Sequence, residues 1–291
     1  MKTNFEIVIP AKNEAVSLAA LLPEIRALYP EVRITVVDDG SSADTSGVAK
    51  QHGAVVIRNS YSKGNGAAIK AGARASTAEF TVFLDADGQH RPADISRLVE
   101  QLESGHDMVV GARDETSQSS IWRGFANRFY NRLASMVTGQ QILDLTSGFR
   151  AVRTRVFTQF LYLLPNGFSY PTTITMAFFR AGYSISYVTI HAEKRLSGSH
   201  INPLRDGIRF LLIIFRVGTL YSPLKLFTPL AGVIFLLGMG YYVFTYITAD
   251  RFTNMSALLL TLAFLVFLIG LVSEQVTTLL YALNEKENTK H

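Results

Sequence analysis

The chain has 291 residues, no cysteine and a formal net charge of +5. That length fits one large domain or a medium domain with an appendage, and the missing cysteines exclude structural disulfides and thiolate metal sites. The positive balance points to an anionic surface or substrate, whether nucleic acid, phosphate or lipid.

The opening MKTNFEIVIPAKNE carries only a short apolar run before Lys12, Asn13 and Glu14, and does not read as a signal peptide. FEIVIP (5–10) reads as a strand ended by Pro10. Asn13 is placed to cap a helix running to about Leu28, with Leu18, Leu21, Leu22, Ile25 and Leu28 at helical spacing. VRITVVDDG (32–40) is a second strand, and Ser42 or Asp44 can cap a helix to about His52. AVVIRN (54–59) is a third strand, followed by the glycine turn KGNG and a helix. EFTVFLD (79–85) is a fourth, with Pro92 at the next helix start, and HDMVVGAR (106–113) is a fifth. Strands alternating with helices predict parallel β-α-β units. SSIWRGFANRFYNRLASM (119–136) spaces Trp122, Phe125, Phe129, Leu133 and Met136 as one helical face, which fits a packed helix or one lying at a membrane interface.

In such sheets ligands sit at the carboxyl ends of the strands. Lys12 and Glu14 follow the first strand, Asp38 and Asp39 the second, and Lys63 the third. Asp85, Asp87 and Gln89 follow the fourth, and Arg113 the fifth. An isolated D-x-D reads as a solvated turn or as close-set carboxylates compensated by a cation; reactive residues at five strand ends favour the site. The turn KGNG has neither GK[ST] nor a full G-x-G-x-x-G. It is a tight helix entry, or a place where Lys63 and the helix N-terminus help hold a diphosphate.

No charged residue interrupts Leu226 to Ile247 or Ser256 to Ser273, and each run approaches the ~20 residues a membrane-crossing helix needs. Two transmembrane helices are predicted, about 226–248 and 256–283. Lys194, Arg195, Arg205, Arg209, Arg216 and Lys225 crowd the near side, while the connecting loop offers Arg251. The basic excess therefore predicts a cytoplasmic N-terminal part and a C-terminus returning to the same side.

IPAKNE (9–14), VVDDGS (36–41), KGNGAA (63–68), DADGQH (85–90), GAR (111–113) and DLTSGFR (144–150) together resemble family 2 GT-A glycosyltransferases, and within them the polyprenyl-phosphate glycosyltransferases related to dolichyl-phosphate mannose synthase. KRLSGSHINPLRDGIRFLLIIFR (194–216) is similar to the segment preceding the membrane part in bacterial members. The resemblance implies an α/β GT-A domain over 1–200, a juxtamembrane amphipathic helix over 201–221 and the hairpin over 222–284. It implies that Pro10, Lys12, Glu14, Asp39, Lys63, Asp85 and Ala86 bind the nucleotide sugar, with Asp85 touching the sugar itself. Asp87 and Gln89 would hold Mg²⁺ or Mn²⁺, and Arg113, Arg123, Arg195 and His200 would meet the acceptor phosphate. Of these, Asp85, Asp87, Arg113, Arg123 and Arg195 form the implied catalytic set. The family usually has Gly and a basic residue where this chain has Ser197 and Gly198. The implied partners are a nucleotide sugar (UDP-sugar first, GDP-sugar second), a polyprenyl phosphate and a membrane, namely the bacterial inner membrane; nucleic acid is not among them, and self-association into a homo-oligomer stays open.

One absence bears on the acceptor. No Asp or Glu lies between Asp144 and Glu193, where hydroxyl-accepting enzymes of this fold carry a base to deprotonate the attacking alcohol. A phosphate monoester is largely dianionic at neutral pH, its second pKa being near ~6, and needs no base. Inverting transfer to a lipid phosphate is therefore expected, ahead of transfer to a lipid or polysaccharide hydroxyl and of a catalytically silent membrane subunit.

Overall fold

The structure is a computed structural model. The residues described are 4–114, 121–167, 170–192, 212, 215, 218, 219 and 222–288, with the side chains of 121–127, 281 and 283–288 outside the description. The chain divides into two units, Met1–Phe210 and Leu211–His291. The boundaries at 200 and 221 expected from the sequence fall outside the described residues.

The first unit is built on seven strands: β1 (Phe5–Ala11), β2 (Arg33–Asp38), β3 (Val55–Arg58), β4 (Phe80–Phe83), β5 (Met108–Arg113), β6 (Arg150–Arg153) and β7 (Ile185–Ile190). Their order is β3-β2-β1-β4-β6-β5-β7. The helices are α1 (Ala15–Leu28), α2 (Thr45–Gln51), α3 (Asn65–Ala75), α4 (Ile95–Glu103), α5 (Ile121–Thr138), α6 (Thr154–Thr158) and α7 (Tyr170–Arg180). The five strands anticipated from the sequence are present, but the sheet is mixed. β6 pairs antiparallel with both β4 and β5, while β1 pairs parallel with β2 and β4. The segment feeding β6 lies at the carboxyl edge, so the strand must run away from that edge. Its four residues, RAVR, are too short to show a period of two.

Burial explains why the parallel strands read as continuous apolar runs. Ile7, Ile9, Ile34 and Val36 are fully buried between helices, and Leu18, Leu22 and Ile25 of α1 pack on them. Each such side chain contributes roughly 1.5–3 kcal/mol relative to exposure. α1 does not start as anticipated. Glu14 occupies its N-cap position, and Asn13, in the left-handed region at φ 58, turns its side chain elsewhere. Its Oδ1 accepts from Ser42 N at 2.9 Å and Ala43 N at 3.3 Å, tying the β1 edge to the β2 edge. For α2, Asp44 is the cap, accepting from Gly47 N at 2.9 Å.

The second unit contains α8 (Pro223–Ala249) and α9 (Asn254–Asn288). Both have apolar stretches of 27 residues with mean hydropathy 1.8 and 2.7, roughly 40 Å each at 1.5 Å per residue and thus long enough for a bilayer core. Their large side chains point outward, as Leu236 at 70% and Leu279 at 63% exposed show. Asp250, left-handed at φ 47, ends α8. Glu274 of α9 satisfies the start of α8, accepting from Leu224 N at 3.2 Å and Ser222 Oγ at 3.3 Å. The juxtamembrane stretch 201–221 is described only at 212, 215, 218 and 219, all helical.

Candidate active site

A cavity of about 460 Å³ opens at the carboxyl edge of the sheet, across the ends of β2, β1 and β4 and the start of β6. Pro10, Lys12, Glu14, Asp39, Asp85, Ala86 and Asp87 line it, bringing together most of the residues picked from the sequence. Lys63, Gln89 and Arg113 lie outside the lining. Arg195 and His200 lie outside the described residues, as does the side chain of Arg123 on α5.

The two carboxylates after β2 are committed to their own chain. Asp38, fully buried, accepts from Ser41 N at 2.9 Å and from Ser46 Oγ, with Arg58 Nε at 3.7 Å. Asp39 accepts four hydrogen bonds of 2.8 Å each, from Asn59 Nδ2, Ser62 Oγ, Lys63 N and Gly64 N. A carboxylate offers about four lone-pair sites, and these donors engage them at the cavity lining, where the resemblance implies contact with the nucleoside. Asp39 holds the 62–64 turn against the cavity. Burial opposes its charge, but the hydrogen bonds from Lys63, Asn59, Gly64 and Ser62 outweigh it and hold the carboxyl below its ordinary range.

The glycine turn enters α3 tightly. Gly66 N donates to Gly167 O at 3.2 Å and Ala67 N to Asn166 O at 2.9 Å. Two of the first amides of α3 are thus satisfied by the chain. Lys63 places its ammonium 5.5 Å from the Tyr61 ring centroid.

The antiparallel register Phe83↔Arg150 brings DADGQH against DLTSGFR. A Cβ on Gly148 would fall on the Asp85 carboxylate, so glycine there leaves room for the acid. The His90 ring stacks on Phe149 at 5.1 Å and 25°, with Nε2 3.9 Å from Asp85 Oδ2. Burial depresses the His90 pKa to about 4, against the pull of Asp87. The imidazole is therefore neutral at neutral pH, and its approach to Asp85 is dipolar rather than an ion pair. Gln89 N donates to Asp87 Oδ1 at 3.2 Å, which shapes the turn between the two sequence-picked metal ligands.

Arg113 forms a two-pronged pair with Asp144, Nε to Oδ2 at 2.8 Å and Nη2 to Oδ1 at 3.0 Å, and Nη2 also reaches Thr146 Oγ1 at 2.6 Å. Burial disfavours the charge, but Asp144 holds the guanidinium above its ordinary value, with Asp85 and Asp87 adding to the effect. Nη1 makes no hydrogen bond among the described residues. Asp144 also accepts from the amides of Thr146 and Ser147 at 3.0 and 3.1 Å. Against its burial, these partners, Arg113 first, keep it ionised and below its ordinary range. Its oxygens are engaged by Arg113 and the amides of Thr146 and Ser147.

Sequence reasoning missed the wall opposite β1. Tyr170, Pro171 and Thr172, at the start of α7, line the cavity with Thr146 and Gly148. Arg150, fully buried, sets this wall by donating to Ser147 O at 3.1 Å and Pro171 O at 3.2 Å. Tyr170 OH donates to Gly148 O at 3.1 Å. Pro171 inside the run SYPTT was the available signal, since proline favours the first turn of a helix.

The residues suit a divalent cation. The cavity's charged lining is four carboxylates, Glu14, Asp39, Asp85 and Asp87, against one ammonium, Lys12. A diphosphate entering this field needs a cation between it and the acids. Asp87 and Gln89 offer the hard oxygen donors such an ion prefers. Among the described residues no group of three or more His, Cys, Asp or Glu forms a metal cluster. Mg²⁺-type sites do not require one, since one or two carboxylates and substrate phosphates suffice.

The first unit matches the glycosyl transferase family 2 profile over residues 6–161, and the GtrB C-terminal hairpin profile matches 222–279. The undecaprenyl-phosphate 4-deoxy-4-formamido-L-arabinose transferase of Klebsiella pneumoniae (strain 342) is 32% identical over 248 residues, a match covering 81% of this chain and 73% of that one. Glycosyltransferase AglJ of Haloferax volcanii is 28% identical over 240 residues, covering 80% and 78%. Among solved structures, glucosyl-3-phosphoglycerate synthase from Mycobacterium tuberculosis, in a complex containing Mn²⁺ and uridine diphosphate, aligns with TM-score 0.59 at 20% identity, over 74% of this chain and 80% of that one. With the strand-edge cavity, the mixed sheet and the hairpin all in place, the chain belongs to glycosyl transferase family 2 and has a GT-A fold followed by a membrane-type helical hairpin.

Proposed function

We propose that the chain transfers a sugar from a nucleotide sugar to a polyprenyl phosphate, with inversion, by direct attack of the phosphate oxygen on the anomeric carbon. The observation that carries this reading is the cavity: a carboxylate-rich pocket at the strand ends, whose neighbour Asp144 is tied up by Arg113. The names of the relatives as undecaprenyl-phosphate sugar transferases support the acceptor class.

In this reading Pro10, Lys12 and Glu14 receive the nucleoside, and Asp85 meets the sugar. Asp87 and Gln89 would hold Mg²⁺ or Mn²⁺, which supplies charge neutralisation to the departing nucleoside diphosphate. Arg113 offers the acceptor phosphate its Nη1, while its other nitrogens stay fixed on Asp144 and Thr146. Arg123, Arg195 and His200 complete the acceptor side. The basic residues flanking the hairpin favour a cytoplasmic catalytic unit in a bacterial inner membrane, with both termini on that side. Because the chain has no cysteine, single cysteines placed in the 250–253 loop and after 284 test this directly by labelling from opposite faces.

The decisive assay uses membranes containing the full chain, labelled UDP- and GDP-sugars, and either polyprenyl phosphate or polyprenol. Lipid-linked product from the phosphate alone, lost on chelation of divalent cations, is the expected result. Equal transfer to the polyprenol would overturn the phosphate reading.

A further inference from the structure

The helix α3 supplies one wall of the cavity through Gly64, Asn65 and Ala68, and the start of α7 supplies another through Tyr170, Pro171 and Thr172. Between them in space lies the turn 164–167, which touches α3 very closely. A Cβ on Gly64 would meet Asn166 O, and one on Gly66 would meet Pro165 O. Gly64 also has φ 104, which L side chains rarely adopt. The carbonyls of Asn166 and Gly167 accept from Ala67 N and Gly66 N, doing what a capping side chain does elsewhere.

One side chain fastens this turn to the helix. Lys70 Nζ, on α3 beyond the capped amides, donates to Leu164 O at 3.1 Å and to Asn166 Oδ1 at 2.5 Å. The turn thus holds the first turn of α3 and precedes Tyr170 by three residues in the sequence, and both walls line the same cavity.

We propose that Lys70 is a positioning residue for the donor: by clasping Leu164 and Asn166 it sets the spacing between the α3 wall and the α7 wall of the cavity. The proposal rests on the cavity being the nucleotide-sugar site. Lys70 touches no substrate, and its role is geometric. A mobile turn lowers the fraction of protein with a competent cavity, which raises the apparent donor KM in proportion. Charge-assisted hydrogen bonds are the strong ones, so removing both should have a measurable effect.

The test uses full-length protein reconstituted in lipid, comparing wild type with Lys70→Met, Lys70→Arg, Asn166→Ala and the double variant Lys70→Met/Asn166→Ala. Lys70→Met should raise the donor KM about tenfold, leaving kcat and the acceptor KM within about twofold and thermal unfolding nearly unchanged. Lys70→Arg, which keeps a cationic donor on a long stem, should recover part of the loss. Asn166→Ala should mimic part of the effect and should add little to Lys70→Met, as expected for one shared contact. An unchanged donor KM in Lys70→Met overturns the proposal, as does an equal loss in donor KM, acceptor KM and unfolding temperature. Failure of the donor-site reading is separately visible, since Asp87→Ala, at the cavity itself, would then leave donor KM and turnover unchanged.

Discussion

The acids after β2 and the acids after β4 stand on one sheet edge, separated only by β1, and the chain treats them differently. Asp38 and Asp39 spend their oxygens on Ser41, Ser46, Asn59, Ser62 and two backbone amides. Asp85 and Asp87 instead share their surroundings with a neutral histidine, a glycine that makes room and an arginine at electrostatic range. Two motifs of similar look, DDG at 38–40 and DAD at 85–87, thus have different surroundings. Asp38 fixes the turn after β2 and Asp39 the 62–64 turn beside the cavity, while Asp85 and Asp87 both line it.

The widest gap between the pairs should appear on removing Asp87. Asp87→Ala should lower transfer by at least roughly 10²–10³-fold, the loss typical of removing one charge-stabilising contact, while leaving the unfolding temperature nearly unchanged. Near-normal turnover in that variant would erase the distinction between the two pairs. Asp39→Ala should show the opposite balance. Four donors lose their acceptor, and stability should fall by roughly 2–4 kcal/mol, read by thermal or denaturant unfolding, with a weaker donor KM following from the loosened 62–64 turn.

Acid titration sharpens the same contrast. The folded pKa of Asp39 is depressed, so its stabilisation is present above the unfolded value of about 3.9 and is lost as pH falls through the folded value. Asp39→Asn should therefore flatten the acid limb of stability below about pH 4, and an unaltered limb would show that another group dominates it.

Two smaller effects concern Arg113 and its partner. Arg113→Lys keeps the charge but loses the fork on Asp144. The acceptor KM should rise more than the donor KM, by roughly tenfold against less than threefold, and equal rises would remove Arg113 from the acceptor side. Asp144→Asn should leave the pH midpoint of activity where the acceptor's second ionisation sets it, near ~6. A midpoint that moves with this substitution, and not with acceptors of different acidity, would identify a protein base and favour hydroxyl transfer.

Much of this architecture is legible without coordinates. The apolar runs FEIVIP, ITVV and TVFL declare themselves as strands, because a strand buried on both faces needs apolar side chains throughout. Asp85 and Asp87 are visible as candidates because they follow such a run. The two uncharged stretches near the C-terminus announce long apolar helices, since length and composition alone set that requirement. Less legible was the direction of β6, whose four residues carry no periodicity.

What tertiary structure alone decided is which polar groups find partners, because those partners come from distant parts of the chain. Asn13 leaves the helix it precedes and binds Ser42 and Ala43. Asp39 binds residues 20 to 25 positions away. The first amides of α3 go to Asn166 and Gly167, and Arg113 fastens on Asp144. Local pattern determines where an element forms, since backbone hydrogen bonding and side-chain periodicity act over a few residues. Whether a charge at its end serves structure or substrate is settled by desolvation, which depends on what packs beside it in space.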